Sequence, residues 1–160
     1  MQEKKYDVIV VGKGNAALCA ALAATEQGAK VAILEAASPD ESGGNSRFAG
    51  GVMRFAFASV EELKQVVDLT DAEVAESDFG TNTTDEFFDD LFRLTQFKTD
   101  PELSERLVTH SLDTMVWLRS KGVKFVPNYG RQSAVVNGRR RFFGRMPLEV
   151  SGGGSGLVRI

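Results

Sequence analysis

Apolar residues repeat along this chain at two different spacings. Residues 7–11, Asp-Val-Ile-Val-Val, form a short run rich in β-branched side chains. Such a run predicts a strand buried on both faces. Residues 15–27 are nearly all small or helix-favouring, with Asn15 as the expected N-cap and Gly28 as the residue just past the helix end. Val31–Leu34 reads as a second buried strand that ends at Glu35. Strand, helix and strand in this order predict a right-handed βαβ unit with parallel strands.

Residues 36–51 read as loop. From Ser59 the period becomes helical. Ser59-Val-Glu-Glu62 and Thr83-Thr-Asp-Glu86 match the box that starts a helix, and Asp100-Pro101 marks a third start. Phe87, Phe88, Leu91, Phe92 and Leu94 share one expected face. Leu103, Leu107, Leu112, Met115 and Val116 are expected to form the apolar stripe of this third helix, which ends at Lys121-Gly122. Asn137-Gly138 between "QSAVV" and "RRRFF" predicts a two-residue hairpin turn. The close, "SGGGSGLVRI", is a glycine loop leading into an apolar start. The expected divisions are residues 1–58, a mostly helical insertion with its hairpin at 59–150, and a return to the first domain at 151–160. One βαβ unit leaves apolar strand edges uncovered, so a fragment of something longer is expected.

The chain has 160 residues, 42% hydrophobic and 26% charged, the mix of a globular protein. Its formal net charge of -3 argues against a nucleic-acid partner, which calls for a basic excess. A single cysteine, Cys19, excludes an intrachain disulfide and fits a cytoplasmic location. The run Val8–Val11 is too short for a signal peptide or membrane span.

The chemistry concentrates in two glycine clusters. The first is Gly12-Lys13-Gly14-Asn15-Ala16-Ala17, a G-x-G-x-x-A pattern between a strand and a helix. Gly12 permits the tight turn, Gly14 a close backbone approach to a pyrophosphate, and Ala17 close packing of helix on strand. The N–H groups that open the helix face the phosphates. Glu35, at the end of the second strand, can accept ribose hydroxyls and repels a 2′-phosphate. This cluster therefore allows NAD or FAD and disfavours NADP. The second cluster, "SGGNSRFAGG" at residues 42–51, pairs glycines with the short polar side chains of Asn45 and Ser46. A plain NAD domain has no need of it, whereas the longer FAD does.

"VIVVGKGNAALCAALAA", then "LEA", "GGNSRFAGG" and finally "GGGSGL" together resemble the FAD-dependent flavoproteins related to fumarate reductase and succinate dehydrogenase. The resemblance implies an α/β fold in which a Rossmann-like FAD-binding βαβ unit is followed by a mostly helical insertion leading into a capping domain. It implies oxidation of a carbon–carbon bond in a small polycarboxylate. A proton leaves beside one carboxylate, a hydride passes to the flavin, and a C=C bond forms. It also implies a separate membrane-bound electron-transfer protein that reoxidises the flavin. The expected cofactor residues are Gly12, Gly14, Asn15, Ala16, Ala17, Glu35, Ala36, Gly44, Asn45, Ser46, Gly50 and Gly51. No metal ligand is expected, and the catalytic residues, among them the proton-transfer arginine, are expected beyond residue 160.

Membrane-bound members of that family carry a flavin-linked histidine near the start of the second cluster. Asn45 stands there, and the only histidine, His110, falls in an expected helix. FAD is therefore expected to be held without a covalent bond. Residues 145–151 also lack the substrate histidine of fumarate reductases, which favours a different carboxylic acid. A soluble fumarate reductase, an aspartate oxidase or a ketosteroid dehydrogenase stays open as an alternative, as does a non-catalytic NAD module. Cys19 reads as a small helix residue rather than a catalytic thiol. Arg139, Arg140, Arg141 and Arg145 read as a solvated hairpin strand, or as one or two cations facing a carboxylate.

Overall fold

The computed structural model describes residues 4–159. In chain order the elements are β1 (Val8–Val11), α1 (Asn15–Glu26), β2 (Val31–Leu34), α2 (Gly44–Phe48), α3 (Val60–Val66), α4 (Asp71–Glu76) and β3 (Ser77–Asp78). Then follow α5 (Thr84–Leu94), α6 (Pro101–Thr109), α7 (Ser111–Ser120), β4 (Phe125–Pro127), β5 (Ser133–Val136), β6 (Arg139–Phe142), β7 (Leu148–Val150) and α8 (Gly153–Leu157). The chain forms two compact units: Met1–Gly51 with Gly152–Ile160, and Val52–Ser151.

In the first unit β1 and β2 are parallel, in register from Val8↔Val31 to Val11↔Leu34, and α1 packs on both. Asp7 extends the pairing, donating its N–H to Lys30 O at 2.9 Å and accepting the Lys30 N–H on Oδ2 at 2.8 Å. Burial of these strands on both faces does not hold. Val8 and Val10 are half-buried, whereas Ile9 is 60% and Val11 81% exposed. A two-stranded sheet with a single covering helix has nothing among the described residues to close its second face.

Helix α1 ends as its sequence requires, with Gln27 as C-cap and Gly28 at φ +82°. Its start differs from expectation. Gly14 is the N-cap and Asn15 the first helical residue, so the Asn15 side chain caps nothing. The glycine-rich stretches 42–51 and 151–159 are not plain loops either, because each contains a one-turn helix, α2 and α8. These two pack backbone on backbone, with the Gly154 N–H donating to Ala49 O at 2.8 Å. A Cβ on Gly154 would lie 1.9 Å from Ser46 O, so only glycine fits there.

The second unit buries Phe55, Phe57, Leu63, Val66, Val108 and Leu148 almost completely. Ser59, Thr83 and Asp100 each accept an N–H three residues on, as their motifs predict. Thr83–Glu86 is a full capping box, and so is Thr70–Glu73 at α4. The box at Ser59 is only half formed, because the Glu62 carboxylate takes the Ala58 N–H instead.

The single helix expected after Asp100 is two, broken at His110, so the histidine sits at a helix junction rather than within a helix. The expected stripe fails in its first half. Leu103 and Leu107 are 67% and 54% exposed, and the buried row of α6 is Ser104 and Val108. Ser104 tolerates burial because its hydroxyl donates to Asp100 O at 2.6 Å. Leu94, expected on the buried face of α5, is also exposed, while Phe87 is buried.

The Asn137-Gly138 turn has φ of +52° and +78°, both positive as a tight hairpin turn requires. It joins β5 to β6 in antiparallel register. β6 also pairs in parallel with the two-residue β3, and β4 pairs antiparallel with β7.

Candidate functional site in residues 4–51

The site is built from the ends of elements. Gly12, at φ +99°, turns the chain out of β1, and its N–H donates to Leu34 O at 2.7 Å. That bond sets the glycine turn against the end of β2, next to Glu35. The Glu35 carboxylate is half-buried, and Oε1 accepts the Ala37 N–H at 2.9 Å, which orients the side chain.

From Gly14 the chain enters α1. The first N–H groups of a helix have no partner inside it, and they carry its positive dipole end. One of them, the Asn15 N–H, donates to Ser46 Oγ at 3.0 Å. That single bond brings the second glycine cluster onto the first. A Cβ on Gly14 would lie 3.7 Å from both Gly43 O and Ser46 Oγ, so the two backbones run close together. Ser46 accepts here through its oxygen, so its own hydroxyl hydrogen is available to a further acceptor.

The structure thus groups Gly12, Gly14, Asn15, Ala16 and Ala17 at one turn, with Glu35 and Ala36 beside it and Gly44 and Ser46 packed against it. Asn45 lies on α2 and is exposed. Gly50 and Gly51 follow α2, and a Cβ on Gly51 would lie 2.8 Å from Gly153 Cα. Nothing in the order of residues marks α8 as the brace of this segment. "GGGSGL" was legible as a glycine loop, but its contact across about a hundred residues was not. Cys19 is half-buried on α1, with its Sγ 3.7 Å from Asn15 Oδ1, and burial raises its thiol pKa. That shift disfavours a thiolate nucleophile.

The second unit holds a separate set of charges. Asp90 pairs with Arg54, accepts from Arg93 at 2.9 Å, and accepts from Arg145 at 3.2 Å. The bond from Arg54 leads in holding its pKa down from 3.8 to about 2, and the bond from Arg93 adds to it. Tyr129 donates to Glu73 Oε1 at 2.8 Å. Burial, then the Glu73 bond, pushes the phenol up from 10.0 to about 12. Glu73 is lowered, first by the Thr70 backbone N–H it accepts.

The hairpin arginines are engaged within this unit. Arg139 donates to Ser77 O at 2.9 Å, and Arg140 donates to Ser133 Oγ at 3.0 Å while lying over the Tyr129 ring. Arg141 stands 3.6 Å from Asp78, and Arg145 bridges Glu86 and Asp90. They tie the hairpin to β3 and α5. Among the described residues no helix is long and apolar enough to cross a membrane.

A parallel βαβ unit with a glycine turn at its first strand end, a helix N-terminus above it and an acid at the second strand end defines a dinucleotide-binding protein. The sequence matches the FAD binding domain family over residues 7–146, and the chain belongs to that family. It is 29% identical over 154 residues to a fumarate reductase (cytochrome) of Shewanella frigidimarina, covering 96% of this chain and 23% of that protein. It is also 29% identical over 120 residues to an NADH:fumarate oxidoreductase of Klebsiella pneumoniae, covering 75% of this chain and 11% of that one. Among solved structures it is similar to the open conformation of a flavocytochrome c3 fumarate reductase. The TM-score is 0.61 at 25% identity, over 96% of this chain and 23% of the other. The chain therefore spans about a quarter or less of the length of these relatives. The cofactor is FAD, and the fold is the α/β FAD-binding fold expected from the motifs.

Proposed function

We propose that this chain is the FAD-binding part of a flavin-dependent dehydrogenase that oxidises tricarballylate to cis-aconitate. The Asn15–Ser46 bond carries the cofactor half of the reading, because it joins both glycine clusters at the helix end where a diphosphate is best held. Gly12, Gly14, Ala16 and Ala17 offer the backbone approach, and the Ser46 hydroxyl donates toward the same anion. Glu35 accepts the ribose hydroxyls beside Ala36. Gly44, Asn45, Gly50 and Gly51 line the longer cofactor past its diphosphate. When bound, FAD supplies the two-electron acceptor.

Asn45 stands where covalently linked members of the family carry histidine, which supports non-covalent binding. The substrate half rests on "GKGNAALCAALAA", "GGNSRFAGG" and "GGGSGLV", which are similar to tricarballylate dehydrogenase, and on the absence of histidine from residues 145–151. The catalytic groups are assigned to the protein beyond residue 160, and reoxidation to a separate membrane-bound electron-transfer protein in a cytoplasmic setting.

The names of the relatives favour a second reading, a fumarate reductase. Two assays of the whole flavoprotein separate the readings, tricarballylate oxidation with an oxidised dye as acceptor and fumarate reduction with a reduced dye as donor. The first reading predicts turnover of tricarballylate and little reduction of fumarate. Fumarate reduction without tricarballylate oxidation overturns it.

A further inference from the structure

Phe48 is the only aromatic residue between Tyr6 and Phe55. It is the last residue of the one-turn helix α2, and it is 79% exposed. Among the described residues no ring stacks on it and no cation lies over it.

The other sides of α2 are taken. Its N-cap, Gly43, lies against Val158, where a Cβ would come within 2.8 Å of Val158 Cγ2. The Arg47 carbonyl accepts from the Ser155 hydroxyl at 3.5 Å, and the Arg47 guanidinium donates to Ser42 O at 3.4 Å. Ser46 faces α1 by accepting the Asn15 N–H. Asn45 and Phe48 remain. Three positions apart, they share one face of the helix, and both are exposed.

A large apolar ring left in water forgoes what its burial would contribute. Its own segment offers no cover, because the other residues from Ser42 to Gly51 are glycine, alanine and polar side chains. Its place in the chain points to what it meets. Phe48 stands two residues after Ser46, whose hydroxyl is assigned to the diphosphate. Past the diphosphate, FAD carries its large flat flavin ring. The other ring, adenine, belongs with the ribose on the Glu35 side. Glycines and N–H donors suit the phosphates, and an exposed aromatic suits the flavin.

We propose that Phe48 packs against the flavin ring of FAD. This rests on the two glycine clusters forming one FAD site. The contact holds the ring end of the cofactor, which the donors at the diphosphate do not reach, and it gives a flat ligand an aromatic partner.

The test is titration of the whole apoprotein with FAD and, in competition, with ADP, which has the adenosine and the diphosphate but no flavin. Phe48→Ser should weaken FAD about tenfold and leave ADP unchanged. Phe48→Tyr, which keeps the ring, should hold FAD as the parent does. The visible band of the bound flavin should differ between the parent and Phe48→Ser. Unchanged FAD affinity in Phe48→Ser overturns the proposal, and so does an equal loss for FAD and ADP, which would give Phe48 a role in shaping the phosphate site. A lower thermal midpoint of the Phe48→Ser apoprotein with FAD affinity kept would mean that protein rather than flavin covers the ring. Where Phe48→Ser does not fold, Phe48→Leu replaces it and is judged by the same outcomes. A parent that binds no FAD overturns the site itself, whereas a parent that binds FAD as tightly as Phe48→Ser overturns only the contact.

Discussion

The hydroxyl oxygen of Ser46 accepts the backbone N–H of Asn15 at 3.0 Å, across 31 positions of sequence. One side chain of the second glycine cluster thereby caps the helix that the first cluster opens. The same hydroxyl keeps its hydrogen for an acceptor in front of the helix end, where the FAD diphosphate is proposed to lie.

Ser46→Ala should therefore weaken FAD binding without unfolding the protein. Loss of one hydrogen bond of this kind costs about 1 kcal/mol, or roughly fivefold in affinity. Titration of the apoprotein with FAD, followed by flavin fluorescence, reads this directly. Unchanged affinity would remove Ser46 from the site.

Gly154→Ala tests whether α8 braces the second cluster. Its Cβ would lie 1.9 Å from Ser46 O, and backbone must move to admit it. Overpacking of this kind costs about 1–3 kcal/mol. A lower thermal midpoint and a lower FAD content are expected together. Parental values for both would mean that the contact between α2 and α8 is looser than described.

Asp90 makes stability depend on acid. Its folded pKa is depressed from 3.8 to about 2, chiefly by the bond from Arg54. A depressed carboxylate stabilises the fold above its unfolded pKa, and that contribution fades as pH falls from about 4 toward 2. Urea midpoints at pH 5 and pH 2.5 should fall further for the parent than for Asp90→Asn, which has no such proton to bind. Parallel losses in the two proteins would show that Arg54 and Asp90 are not coupled in solution.

Tyr129 gives the opposite dependence. Its phenol is raised to about 12, first by burial and then by its bond to Glu73. A raised phenol stabilises the fold below its unfolded pKa, and the contribution is lost as pH rises from about 10 to 12. Ultraviolet titration of a Tyr6→Phe variant isolates Tyr129, because the sequence has only two tyrosines. Phenolate should appear around pH 12, and earlier when Glu73→Gln is added. Ionisation near 10 in the Tyr6→Phe variant would contradict the Tyr129–Glu73 bond.

Local chemistry was legible in the sequence. The strand runs at Val8 and Val31, the Thr83–Glu86 box, the Asp100-Pro101 start and the Asn137-Gly138 turn each depend on a few neighbouring residues, and each formed. Burial was less legible, because it depends on what arrives from elsewhere. Ile9 and Val11 are apolar by sequence yet exposed, since no further strand covers them among the described residues. Leu103 and Leu107 lost their expected face to Ser104 and Val108, because a back-bonded serine let α6 bury a different row. The candidate site divided in the same way. Gly12, Gly14 and Glu35 were readable from spacing, while the Ser46 bond and the Gly154 brace required chain that is distant in sequence. β3 was invisible for that reason too, since Ser77 and Asp78 become a strand only by pairing with Arg140 and Arg141.

The two glycine clusters are proposed to form one FAD site that holds the flavin without a covalent bond. Acid precipitation of the purified whole flavoprotein, followed by visible spectra of supernatant and pellet, tests it most directly. A flavin spectrum is expected, with the flavin released into the supernatant and a colourless pellet. Yellow colour that stays with the precipitated protein would contradict the reading of Asn45, and a protein purified with no flavin spectrum would contradict the site itself.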